Sequence, residues 1–183
     1  MRIFYLIIFF LFLNNNLYSN DDDIKNWFDR ETNIFHSIHQ NDDDNFRKFI
    51  KRNFAVKSIA YGLIPQKILE TADEKTLERY IQSFEKHLNN TVFILASNYV
   101  NSEINLIDID LKGDVFQLTS EIKYNDNSSR AYWKVVNINS SYKIIDIIVE
   151  NTSYFVTKKN EFSKILRKNS GNLSLLIKEL DKK

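Results

Sequence analysis

The 183-residue chain contains no cysteine, one proline and three glycines. Without cysteine there can be neither disulfides nor lipid attachment through a thiol, so the fold must stand on its hydrophobic core. Three glycines are too few for a glycine-rich phosphate cradle. The scarcity of both breakers argues against a loop-rich protein. No internal repeat and no low-complexity linker is present. Charge of one sign is lacking too: 25 basic residues face 24 acidic ones. That balance speaks against a nucleic-acid binder.

The long hydrophobic run that would span a bilayer, roughly 20 residues, is also missing. What stands instead is "MRIFYLIIFFLFLNNNLYSN": one basic residue, Arg2, an apolar run from Ile3 to Leu13, then a polar stretch. This suits a secretory signal peptide over residues 1–19, cut after Ser19 with Leu17 two places before the cleavage point, rather than an uncleaved anchor. The expected mature chain, residues 20–183, has 183 − 19 = 164 residues, enough for one domain with a real core. Losing Arg2 leaves 24 basic and 24 acidic residues, a net charge of zero. The charges are unevenly spread. Asn20 to Phe46 holds eight acidic and two basic residues, Thr157 to Lys183 eight basic and three acidic. These ends are either solvated faces or docking surfaces.

The first half reads as helices. Ile24, Trp27, Phe28, Ile34, Phe35 and Ile38 form a helical stripe, with Asp21 to Asp23 at its start. "NDDDNFRKFIKRNF" begins a second helix, whose apolar face is Phe46, Phe49, Ile50 and Phe54. "AVKSIAYGLIP" is a short piece ending at Gly62 and Pro65. A helix of nearly thirty residues follows, roughly 40 Å long. Thr71 is its expected cap, with Glu74 three residues on in a capping box. Its stripe is Leu77, Ile81, Phe84, Leu88, Val92, Leu95 and Tyr99, and Phe93, Ile94 and Ala96 widen it into an end that should be surrounded. His87 beside the stripe is expected to face solvent.

From Glu103 the pattern turns to strands: "EINLIDIDL", then "DVFQLTSEIKY", "RAYWKVVNI" and "YKIIDIIVE", joined by short turns. In the second, Phe116, Leu118, Ile122 and Tyr124 share one face; the third carries Trp133 and Val135. Two helices close the chain, about Ser153 to Arg167 and Leu173 to Leu180, separated by Gly171. Helices followed by a four-stranded antiparallel meander give an α+β class. The fourth strand does not alternate cleanly. Ile144 and Ile148 point one way, Ile145, Ile147 and Val149 the other, and Asp146 interrupts them. Both faces are therefore expected to be dry.

"TADEKTLERYIQSFEKHLNNTVFILASNY", "YKIIDIIVENTSYFVTKKNEFSKIL" and "GNLSLLIKEL" resemble the MlaC-type family, the toluene-tolerance auxiliary component of a bacterial lipid ABC transporter. Tyr142 and Lys143 stand at the family's tryptophan-lysine pair, Asp146 at its aspartate, and Glu150 and Ser153 at its Glu-Gly-x-Ser turn. Phe162 holds its phenylalanine, and Gly171 with Leu176 and Ile177 matches its closing helix. Asn151 replaces the glycine, which Asn tolerates because it accepts left-handed backbone angles. Lys159 replaces an arginine, keeping the charge but losing bidentate pairing. The resemblance implies an NTF2-like or cystatin-like cone and a monomeric periplasmic carrier without cofactor or catalytic group. It implies that a glycerophospholipid, or in some relatives a hopanoid-related cargo, passes between an outer-membrane lipoprotein complex and an inner-membrane ABC transporter.

Such a carrier is chemically simple. About thirty methylenes at roughly 0.8 kcal/mol each supply on the order of 20 kcal/mol of gross driving force, more than non-covalent sites deliver net. It needs a dry cavity with apolar walls. The expected wall is Leu88, Val92, Leu95, Tyr99, Phe116, Leu118, Trp133, Val135, Ile145, Ile147 and Phe155, with Asp146 and Ser153 in structural polar roles. Three readings stay open at this point. The first is a lipid chamber; the second is a small enzyme of NTF2-like fold with Asp146 as its base; the third is a filled core, in an envelope interaction protein that uses its charged ends. His36 and His39 sit three apart, but no third ligand can be assigned, so no metal site is expected. Lys158, Lys159, Lys164, Arg167 and Lys168 form a basic helix face, either solvated or attracting phosphate headgroups or an acidic partner.

Overall fold

The computed structural model describes residues 19–38, 42–97, 99 and 101–182, the side chains of 19, 20, 96 and 97 excepted. Residues 1–18 of the expected leader, His39 and the side chain of Ala96 lie outside the described residues. Among those described, seven helices and one antiparallel sheet occupy separate blocks of the chain, an α+β arrangement.

The acidic residues written before each apolar stripe act as helix starts. Asp42 caps α2 (Asp43–Asn53) by accepting the Asn45 N–H at 3.1 Å. In α1 (Ser19–Ser37), Ile24, Trp27 and Phe28 are buried on the inward face. Next come α3 (Val56–Leu63) and α4 (Gln66–Thr71), separated by Pro65. The long helix α5 runs Glu74–Ser97, 24 residues and shorter than expected. Its cap is Asp73 rather than Thr71: the Asp73 carboxylate accepts the Thr76 N–H at 2.9 Å. Thr71 instead ends α4, donating its hydroxyl to the Lys67 carbonyl at 2.8 Å. The extra turn of α4 takes up the residues of the capping-box pattern, and Asp serves as a cap at least as well as Thr.

His87 corrects a second expectation. It is buried, 6.3 Å from the Phe162 ring, because α5 is covered over a wider sector than one stripe. Tyr80 and Phe84 are fully buried on that sector as well. Residues from the chain's far end, α6 (Tyr154–Lys168) and α7 (Leu173–Leu180), supply the cover. The end of α5 behaves in the opposite way: Ile94 is 66% exposed and Leu95 51%, so this apolar end is not surrounded.

The sheet has the order β1 (Glu103–Lys112), β2 (Val115–Tyr124), β3 (Asn127–Ile138), β4 (Ser141–Val149), β5 (Thr152–Ser153). It has one more strand than expected. Glu150 and Asn151, at φ 50° and 61°, form a two-residue turn that folds Thr152 and Ser153 back onto Val149 and Ile148. Both turn positions need the left-handed region, which Asn accepts readily.

The mixed pattern of β4 has a simple cause in its register with β3. Trp133 pairs with Ile147 and Lys134 with Asp146, but Val135 pairs with Ile144, so Ile145 is an extra residue. This bulge resets the alternation. It carries Ile144 to the face of Ile147 and Val149, and the inner face gains a continuous aliphatic band. That corrects the expected split of Ile144 from Ile145, Ile147 and Val149. Ile148 and Asp146 take the other phase. Helices cover the inner face: Phe28 meets Trp133 edge-on at 5.7 Å, Trp27 lies 5.7 Å from Tyr142, and the Ala55 N–H donates to the Ile144 carbonyl at 3.0 Å.

Candidate functional site

The helices do not fill the space above the inner face completely. A cavity of about 490 Å³ lies between the sheet and helices α1, α2, α5 and α6. The aromatic wall is Trp27, Phe28 and Phe35 from α1 with Phe49 from α2, and the sheet contributes Trp133, Ile144, Ile145 and Ile147. Trp133 is fixed from both sides, since its indole N–H donates to Ser120 Oγ at 2.9 Å while Phe28 packs against its ring. The α5 wall is Val92 and Leu95, with Tyr99 just beyond the helix. Leu95, Glu150, Thr152 and Thr157 line the cavity yet are exposed, so it reaches solvent between the end of α5 and the start of α6.

Of the wall residues expected from the sequence, Val92, Leu95, Tyr99, Trp133, Ile145 and Ile147 meet at this cavity. Leu88, Phe116, Leu118 and Val135 do not. They are 3% exposed or less and belong to the close-packed core, one step further along the same stripe and strands. Phe155 points elsewhere as well. Its ring lies against α3, where a Cβ added to Gly62 would come within 3.0 Å of it, and Lys159 sits 5.6 Å over its centre. Sequence reasoning missed the α1 and α2 wall. The stripe signal was there in Trp27, Phe28, Phe35 and Phe49, but periodicity cannot separate a filled face from a hollow one.

Asp146 has both carboxylate oxygens engaged. Oδ2 accepts Ser153 Oγ at 2.8 Å and lies 3.6 Å from Lys134 Nζ; Oδ1 accepts the Phe155 N–H at 2.9 Å. Ser153 Oγ in turn accepts the Val156 N–H at 3.0 Å. The pair thus ties β4 to the first turn of α6, satisfying donors a helix start leaves open. A carboxylate so committed is an anchor rather than a poised base. Among the described residues no group of three or more metal-ligating side chains occurs, and no helix is long and apolar enough to cross a membrane.

A second buried carboxylate touches the cavity. Glu31 is buried, and its Oε2 accepts Arg52 at 2.7 Å and Asn53 at 2.8 Å, its Oε1 Arg30 at 3.0 Å. Burial by itself pushes its pKa up, but the hydrogen bonds from Asn53, Arg30 and Arg52 and the Arg52 charge outweigh that, so the group lies below the ordinary glutamate range. A lowered folded-state pKa gives stability that is present above the unfolded value, about 4.3, and lost as pH falls through the folded one. Glu31→Gln should therefore cost about 2 kcal/mol at pH 7, discounted for the half-exposed Arg52. Urea titrations at pH 7, 5 and 3 should show that gap closing only below about pH 4.

No curated protein sequence matches the chain. A solved structure does: a phospholipid-binding protein of Ralstonia solanacearum in complex with a phospholipid, with a TM-score of 0.68 at 16% identity over 81% of this chain and 83% of that one. Identity that low establishes a shared fold. The family evidence covers nearly the whole of the described chain: the model described as MlaC protein matches residues 26–182, from the first helix through the last, so the chain belongs to the MlaC family.

Proposed function

We propose that the chain is a periplasmic carrier that holds a glycerophospholipid by its acyl tails. The observation that carries this reading is the cavity itself: about 490 Å³, walled by aromatic and branched aliphatic side chains, and reaching solvent at one side. Burial of acyl methylenes needs such a space and little else. Membership of the MlaC family and the phospholipid held by the structurally similar Ralstonia protein support the same cargo. The leader pattern over residues 1–19 supports export. The family's role supports passage between an outer-membrane lipoprotein complex and an inner-membrane ABC transporter. The committed hydrogen bonds of Asp146 count against the enzyme reading, and the cavity against a filled-core interaction protein.

Organic extraction of the purified chain followed by mass spectrometry tests this reading. Roughly one diacyl phospholipid per chain is the expected result for a cavity of this size. An extract free of lipid, from a chain that also takes up none from added vesicles, would overturn it.

A further inference from the structure

The basic helix face expected on α6 loses one member in the structure. Lys158 is 9% exposed, on the cavity wall, whereas Lys159 and Lys164 are exposed. A lysine stem buried against apolar surface ordinarily lifts its ammonium out to water. Here the ammonium stays in, 2.9 Å from Glu161 Oε2 and 5.9 Å over the Tyr154 ring. Glu161 takes one of its three protons, which leaves two for another acceptor. Holding a cation beside an apolar chamber is costly unless its donors are used.

Its position also fits. Thr157, its neighbour on α6, and Thr152 line the same cavity and are exposed where it reaches solvent, so Lys158 stands just inside the mouth. A diacyl lipid whose tails fill the chamber would place its phosphate at that level. We infer that Lys158 is the phosphate-binding residue of the carrier, accepting a phosphate-bearing diacyl lipid in preference to an uncharged one. The inference rests on the carrier reading above and adds the polar half of the ligand to it. Glu161, more exposed than Lys158, competes for the same ammonium in the empty protein and becomes free to meet a headgroup amine when phosphate arrives.

Competition measurements on the delipidated chain test it, with a fluorescent fatty acid displaced by dioleoyl phosphatidylethanolamine, dioleoyl phosphatidylglycerol or dioleoylglycerol. The native chain should prefer both phospholipids over dioleoylglycerol by roughly tenfold or more, the scale of one charge-assisted hydrogen bond. Lys158→Gln should abolish that preference and leave dioleoylglycerol binding intact, which also shows that the variant folds. Lys158→Arg should keep it. Glu161→Gln, by freeing the ammonium, should tighten dioleoyl phosphatidylglycerol, a gain that a merely structural ion pair does not produce, and should tighten dioleoyl phosphatidylethanolamine less, because its amine loses the carboxylate. The ethanolamine and glycerol arms separate recognition of the phosphate from recognition of the amine. Phosphate preference that survives Lys158→Gln, or a native chain indifferent to phosphate, would overturn the inference alone. Failure of native and variant chains to bind any diacyl ligand would overturn the carrier reading and this inference with it.

Discussion

The double variant Val92→Trp/Ile147→Trp should be purified almost free of lipid, with at least roughly a tenfold fall in lipid per chain on extraction, while its melting temperature stays within a few degrees of the native value. Val92 and Ile147 line the cavity from α5 and β4, two elements that bound it on separate sides. Enlarging a residue in a close-packed core costs about 1–3 kcal/mol because nothing can yield. Here the added rings enter empty space, so the folding cost is small. The cost to the cargo is large. Keeping about ten methylenes out of the chamber removes on the order of 8 kcal/mol of gross binding, far more than the tenfold effect being read. Lipid content unchanged in the double variant would mean that the acyl chains lie somewhere other than between the sheet and α5.

That expectation could not have been written from the sequence, although much of the fold could. Acidic clusters before apolar stripes place the starts of α1 and α2, and Asn or Gly between alternating runs places the hairpins, because both signals are local. The Asn151 that replaces the family's glycine adopts φ 61°, as its side chain allows. Features that depend on pairing between elements were hidden. The bulge at Ile145 exists only in relation to β3, and with it goes the identity of the inner face of β4. His87 looks solvent-bound until α6 covers it, since 75 residues separate it from Phe162 in sequence and 6.3 Å in space. Lys158 reads as one of several surface lysines until the cavity appears beside it.

The hollow itself was the least legible feature, and Leu88 and Val92 show why. They are one helical turn apart on the same apolar stripe, both branched aliphatics, and nothing in composition separates them. Leu88 is fully buried and packed, whereas Val92 is partly buried and faces the cavity. Truncation should separate them sharply. Leu88→Ala should cost about 3–4 kcal/mol, because the removed atoms leave a void in a close-packed region. For a chain of this size that lowers the melting temperature by roughly 10 °C. Val92→Ala should cost less than about 1 kcal/mol, because the atoms it loses already face a space with few partners. Its effect should appear instead in lipid affinity, about tenfold weaker for the one or two methylene contacts removed. Thermal melts and lipid competition on the two variants make a crossed pair: stability lost at Leu88 with lipid binding retained, stability retained at Val92 with binding weakened. Equal destabilisation at both positions would mean that the chamber beside Val92 is filled by the protein's own side chains in solution.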